Sequence, residues 1–276
     1  MALPFQIIEP IGKGSQGSVF RGYHFDMQRV IAIKKVNHAH IARKEIGILE
    51  YVNRRCPYTV EYMGYHMDTE QNYWIMMQHE DGVNGKHIHE LMKSGCYMDE
   101  EKVLAIVYRL ACALQFMHHH DIIYGDVKLE NFLYRPPHKV TLIDYGCARK
   151  GPTLHHRIGT PYYFSPEKIN GTSSYPADVW ALGVMAYMLM CGVHPFHVQK
   201  KYSDMTAFYD HLMSTPLQFE HPRWSMISTD TKALLEGMLQ KSANTRMTID
   251  EVLLHATMKN LYPLEYRDVQ SQTIAQ

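Results

Sequence analysis

The 276-residue chain carries no excess of charge, Lys+Arg and Asp+Glu balancing at 28 each. A polyanionic partner is held by a surplus of basic groups, so neither nucleic acid nor an anionic membrane surface is expected as its main partner. Cysteine is scarce. Cys56, Cys96, Cys112, Cys147 and Cys191 are odd in number and lack metal-ligand spacing. That excludes a disulfide framework and points to a reducing, cytoplasmic setting. Long apolar runs are missing too. The longest, around Val179 to Met190, falls short of the roughly 20 residues a membrane span needs and reads as a buried helix. The opening MALPFQIIEPIG has no basic segment followed by an apolar one, so no signal peptide is expected. There is no internal repeat and no low-complexity tract.

What is present divides the chain in two. Alternation and β-branched content mark strands over Phe5–Ile11, Ser18–Tyr23, Arg29–Val36, Val60–Tyr65 and Tyr73–Met77, interrupted by one helix over Ala39–Val52. Beyond Gly82 helical patterns take over, notably Asp99–His119, Ala177–Met190 and Thr229–Gln240. Strands followed by helices give an α+β chain with two lobes. We read one domain over 1–276: an N-lobe 1–77, a polar hinge 78–82, a C-lobe 83–260 and a tail 261–276. The Pro/Gly/Ser-rich stretch from Gly151 to Ser174 reads as a long functional loop. His118-His119-His120 raises a metal site, but a polar helix end favoured by the helix dipole accounts for it better.

Five features carry chemistry. Gly12, Gly14 and Gly17, in Ile11-Gly12-Lys13-Gly14-Ser15-Gln16-Gly17-Ser18-Val19, make a turn whose backbone amides can approach phosphate oxygens. Strands on both sides disfavour the strand-to-helix dinucleotide loop that shares this spacing. The next strand places Ala32 and Lys34 on one face, a small residue where a base would lie and a cation near its phosphates. In the following helix Glu45 sits amid the apolar stripe of Ile41, Ile48, Leu49 and Val52, while Glu50 points away. A carboxylate there needs a cation, and Lys34 is the candidate; a partly exposed glutamate is the alternative. Asp126-Val127-Lys128-Leu129-Glu130-Asn131 spaces a carboxylate to orient a hydroxyl, a lysine to neutralise a moving phosphoryl group and an amide to bind a metal. Lastly the apolar Val140–Ile143 ends in Asp144-Tyr145-Gly146, a carboxylate placed to hold Mg²⁺. Each feature is common alone; their order along one chain is not.

From Ile11 to about His255 these residues resemble the eukaryotic protein kinase superfamily, serine/threonine type. The resemblance implies the bilobal kinase fold: a small antiparallel sheet with one helix, and a larger, mainly helical lobe. It also implies transfer of the ATP γ-phosphate to protein hydroxyls with Mg²⁺. Lys34 would then contact the phosphates and pair with Glu45. Asp126 would be the base, Lys128 the γ-phosphate contact, and Asn131 and Asp144 the metal ligands. Ile11 and Ser15 would belong to the phosphate loop, and Val19, Ala32 and Leu133 would sandwich adenine. Met77, Gln78 and Glu80 would line the hinge. Ser165-Pro166-Glu167 resembles the family's A-P-E motif, with Arg246 as partner of Glu167, and Asp178–Gly183 resembles the start of its central helix. Lys128 and Thr160 resemble serine/threonine rather than tyrosine kinases, and Gly159–Phe196 looks most like the calcium/calmodulin-dependent and calcium-dependent group. Glu130 matches a position that favours a basic residue upstream of the target site; a solvent-facing glutamate is the alternative.

The chain departs from the family at Gly125, where an arginine usually binds an activation-loop phosphate. Between Gly151 and Arg157 only Thr153 is phosphorylatable, so activity independent of loop phosphorylation is expected. Tyr145 replaces phenylalanine, and its buried hydroxyl is expected to find a partner and restrain the Asp144 loop. A pseudokinase that binds ATP or scaffolds without turnover is the competing reading, favoured by Gly125 and opposed by the retained polar set. A small-metabolite phosphotransferase is disfavoured by the Ser165–Glu167 and Asp178–Gly183 blocks. A monomer is the default.

Overall fold

The computed structural model describes residues 3–14, 17–137, 139–154, 158–196 and 204–261. Ser15 and the tail from residue 262 onward lie outside them.

At one end five antiparallel strands pair in the order β1-β2-β3-β5-β4. They are β1 (Phe5–Gly14), β2 (Gly17–His24), β3 (Arg29–Val36), β4 (Tyr62–Met67) and β5 (Tyr73–Gln78), with α1 (Ala39–Val52) between β3 and β4. Period-two alternation gives the sheet two dry faces. Ile31, Ile33, Trp74 and Met76 join Phe5 in an outer cluster, whereas Val36, Ile75 and Met77 belong to the main core with α1. Asn37 and His38 alone connect β3 to α1, and no side chain caps that helix start.

The segment read as a strand from Val60 begins pairing with β5 only at Tyr62. Its first residues are engaged elsewhere: the Val60 N–H donates to the Leu142 carbonyl (3.0 Å) and the Leu142 N–H to that of Tyr58 (2.7 Å). The small lobe is thereby stitched to the large one behind the cleft.

The second lobe contains β6 (Val83–Asn84), α2 (Gly85–Lys93), α3 (Glu100–His119), β7 (Ile122–Ile123), β8 (Phe132–Arg135), β9 (Lys139–Leu142), β10 (Arg149–Lys150) and β11 (Thr153–Leu154). Then follow α4 (Pro166–Ile169), β12 (Ser173–Ser174), α5 (Tyr175–Cys191), α6 (Met205–Ser214), α7 (Thr229–Met238), α8 (Ile249–Leu254) and α9 (Ala256–Leu261). Helix α5 is buried along nearly its whole length, as its unbroken apolar run requires. Gly183 lets α7 approach it, since a Cβ there would lie 3.0 Å from the Cβ of Met238. Helix α7 stops short of Gln240, because Leu239 leaves helical geometry after bonding the Leu235 carbonyl. The three histidines end α3 with separate partners, Asp178, Asp250 and the Phe116 carbonyl. Among the described residues no group of three or more His, Cys, Asp or Glu comes together as a metal site.

Candidate active site

The β1–β2 hairpin pairs Gly12 with Val19 and Gly14 with Gly17. A Cβ on Gly17 would fall 2.2 Å from the Lys35 carbonyl oxygen, so only glycine fits beside β3. Register carries the line inward: Val19 faces Lys34, and Ala32 faces Met77. Val19, Ala32 and Leu133 are half-buried and Met77 is buried, while Ile11 is exposed. From Gln78 the chain turns along β8, where a Gly82 Cβ would meet the Tyr134 carbonyl at 3.0 Å. Gln78 donates to Glu80 (3.1 Å), whose other carboxylate oxygen pairs with Lys139.

Lys34 and Glu45 meet as the amphipathic pattern requires. The lysine Nζ donates to Glu45 Oε1 at 2.7 Å and Oε2 at 2.9 Å, with side-chain exposures of 5% and 1%. The same Nζ reaches Asp144 Oδ1 at 2.7 Å across 110 positions of sequence. Burial alone would lower the lysine's pKa, but these two carboxylates raise it above its ordinary value. At Glu45 burial pushes the carboxyl up against the pull of the lysine. The two-oxygen contact favours the charged pair. Asp144 keeps 44% of its side-chain surface open. Its surroundings would raise the carboxyl, but Lys34, the Gly146 N–H and the charge of Lys128 outweigh that and hold it below the ordinary range.

The opposite wall is the loop after β7. Asp126 accepts at Oδ1 from the Thr160 N–H and hydroxyl (both 2.8 Å), and at Oδ2 it meets Lys128 Nζ (2.7 Å) and Asn131 Nδ2 (3.2 Å). Lys128 also donates to Thr160 Oγ1 (2.9 Å). Since Asn131 spends its N–H group on Asp126, its Oδ1 is the atom left to ligate. The Ile143 N–H donates to the Asn131 carbonyl (2.9 Å), which places Asn131 next to the strand end that bears Asp144. One amide oxygen and one half-open carboxylate are hard donors that suit Mg²⁺, an ion that leaves the rest of its shell to phosphate and water.

Sequence reasoning missed part of the scaffold. Asp178, at the start of α5, accepts from the N–H groups of Tyr124 (2.9 Å) and Gly125 (2.8 Å) and fixes the loop from below. An acid heading an otherwise apolar helix was the available signal. Lys168 and Gly159 also press on this loop, and nothing local in the sequence marks them. Tyr124 donates its hydroxyl to the Ile143 carbonyl and meets Tyr145 edge-on, ring centroids 5.6 Å apart. The Tyr145 hydroxyl, expected to find a partner, has no hydrogen bond of sound geometry although Thr59 lies beside it. Glu167 and Arg246 pair through two contacts of 2.6 and 2.9 Å, as anticipated.

The geometry agrees with the comparisons. A family described as "Protein kinase domain" matches residues 5–258. Calcium-dependent protein kinase 22 of Arabidopsis thaliana is 27% identical over 92% of this chain and 54% of its own length. Serine/threonine-protein kinase pakH of Dictyostelium discoideum is 30% identical over 98% of this chain and 52% of its own. MAP kinase-activated protein kinase 2 of Mus musculus is 29% identical over 89% and 66%. The chain spans about half the length of several of these relatives. It belongs to the protein kinase domain family.

Proposed function

We propose that this protein kinase domain transfers the γ-phosphate of Mg·ATP to serine or threonine hydroxyls of protein substrates. One observation carries the reading: Lys34, Glu45 and Asp144 converge in one cluster, Asp126, Lys128, Thr160 and Asn131 in a second, and the Ile143 N–H bond to the Asn131 carbonyl sets the two side by side. Asn131 and Asp144 would hold the metal, which supplies charge neutralisation at the phosphates. Lys34 would orient the α- and β-phosphates, Lys128 would meet the γ-phosphate, and Asp126 would accept the substrate hydroxyl proton. Ile11, Gly12, Gly14, Ser15 and Gly17 would cover the phosphates. Val19, Ala32, Met77 and Leu133 would hold the base, with backbone groups of Gln78 and Glu80 at its edge. Incubating the chain with radiolabelled ATP and basic peptides bearing Ser, Thr or Tyr tests this. Label on Ser or Thr is expected; nucleotide binding with no transfer to any peptide would favour a pseudokinase.

The same reading includes activity without loop phosphorylation. Gly125 offers no side chain to a phosphate, and the loop strand bearing exposed Thr153 already pairs with Ser173–Ser174 ahead of α5. Phosphatase treatment is expected to leave the rate unchanged, and complete loss would reject this point. For the substrate we favour a basic residue upstream of the acceptor. Glu130 lies half-buried in the same loop as Asp126, Lys128 and Asn131, where its carboxylate would meet an arriving guanidinium. Glu130→Gln should flatten the arginine preference in a peptide array. The five cysteines, three of them buried, support a cytoplasmic setting.

A further inference from the structure

Lys168 is a buried lysine of the large lobe that lies outside the set assigned to phosphoryl transfer. It follows Glu167 in α4 and is 6% exposed. Its Nζ donates to the Gly125 carbonyl at 2.6 Å and lies 4.9 Å from the centre of the Phe164 ring. The backbone under it is rigid: Ser165 Oγ accepts from the Lys168 N–H (3.3 Å), and neighbouring Glu167 is bound by Arg246. Burial lowers the ammonium's pKa even though Asp178 and Asp126 pull it the other way. An apolar side chain of equal length would fill this space without desolvating a charge. A lysine here is therefore costly to stability, and its return must be sought in what it touches.

It touches the peptide unit that carries Asp126. Gly125 has no side chain with which to fasten the loop, and it adopts φ +79°. Asp178 holds its N–H side, and Lys168 holds its carbonyl side. The third contact comes from Gly159, where a Cβ would lie 2.6 Å from the Gly125 oxygen and 3.2 Å from both Asp126 Oδ1 and Lys168 Nζ. The ammonium and the carboxylate are thus separated by at most twice that distance, and the segment before α4 lies against both.

We propose that Lys168 is a positioning residue for phosphoryl transfer: from α4 it clamps the Gly125 carbonyl and so fixes the direction in which Asp126 presents its carboxylate. The proposal rests on the kinase reading and deepens it, because it ties the catalytic loop to the substrate-facing segment by a permanent cation instead of an added phosphate.

The test compares purified wild type, Lys168→Met and Lys168→Gln by steady-state kinetics, ATP-analogue binding and thermal melting. Lys168→Met should lower kcat about 100-fold, the scale of a small misplacement of a reacting group. Its KM for ATP should stay within about twofold and its melting midpoint should equal or exceed that of wild type, because a desolvated charge is gone. Lys168→Gln retains a donor and should fall between the two in kcat. An undiminished kcat in Lys168→Met overturns the proposal, as does a kcat loss matched by lost stability and nucleotide binding. Should Lys168→Met not fold, Lys168→Gln decides by the same split, and failure of both to fold assigns Lys168 a purely structural role. An inactive wild type that binds the analogue overturns the kinase reading itself and this inference with it.

Discussion

Asp144 and Asp126 face one cleft but are held in opposite ways. Asp144 is tethered by charge: one ammonium, borrowed from a strand 110 positions away, shared with Glu45 and contacting a carboxylate that stays 44% open. Asp126 is caged, 8% exposed, its two oxygens taken by a backbone N–H, a hydroxyl, an amide and Lys128. A charge tether can be exchanged for another cation when one arrives. A cage of short directional bonds fixes orientation and resists exchange. The first suits a metal ligand and the second suits a base. The largest expected effect follows from the cage: Asp126→Asn keeps its shape but cannot take a proton, and kcat should fall by about 10²–10⁴-fold. Circular dichroism should stay close to wild type, while the melting midpoint should fall modestly because the new amide nitrogen faces donors where an oxygen accepted them. An unchanged turnover would remove Asp126 from the role of base.

The tether breaks differently. Lys34→Ala strands Glu45, a carboxylate 1% exposed, and removing one partner of such a pair costs about 3–5 kcal/mol of stability. Glu45 can escape by taking up a proton, so the loss measured in urea should shrink as pH is lowered. A variant as stable as wild type at pH 8 would show that the pair is not the hinge of the small lobe. On the caged side Gly159→Ala brings a methyl group to 2.6 Å from the Gly125 oxygen at φ +117°. Strain at such a site costs about 1–3 kcal/mol, and the rate should suffer more than nucleotide affinity because the clash falls on the base's loop.

Acid should separate the two walls further. Lys34 holds the Asp144 carboxyl below its ordinary value of 3.8. A depressed carboxyl contributes stability that is present above the ordinary value and disappears as pH falls through the depressed one. The melting difference between wild type and Asp144→Asn should therefore be constant from neutrality to about pH 4 and close below it. A difference that vanishes already near pH 6 would mean that Asp144 is not held below its ordinary value.

The tethered wall was legible in the sequence and the scaffold of the caged one was not. Glu45 betrays itself by sitting on an apolar stripe, and Lys34 by alternation along β3. Period and charge are local signals. The loop motif and Thr160 were readable as pattern, but what holds the loop comes from far along the chain: Lys168 is 43 positions from Gly125 and Asp178 is 53. No periodicity announces such contacts, since they arise when α4 and the start of α5 fold back under the loop. Strand ends failed for a related reason, because Val60 was claimed by Leu142 of the other lobe and not by its hairpin partner. Helix α2 escaped notice because it is short, polar and histidine-rich; its Asn84 cap, which accepts from the His87 N–H (2.9 Å), was the cue.

The smallest effect expected lies where the two walls meet in the core. Tyr145 is fully buried beneath Asp144, and its hydroxyl has no hydrogen bond of sound geometry. Burial drives its pKa far above the ordinary value, so the group stays neutral. An unsatisfied buried hydroxyl is a net cost, and Tyr145→Phe should be neutral or stabilise by about 1 kcal/mol. The ring would still pack edge-on to Tyr124. Transfer rates should therefore match wild type, because the ring and not the hydroxyl supports the Asp144 loop. If Tyr145→Phe instead melts several degrees lower and turns over more slowly, the hydroxyl has a working partner, Thr59 being the one within reach. The tether at Asp144 would then depend on a neutral bond as well as on charge.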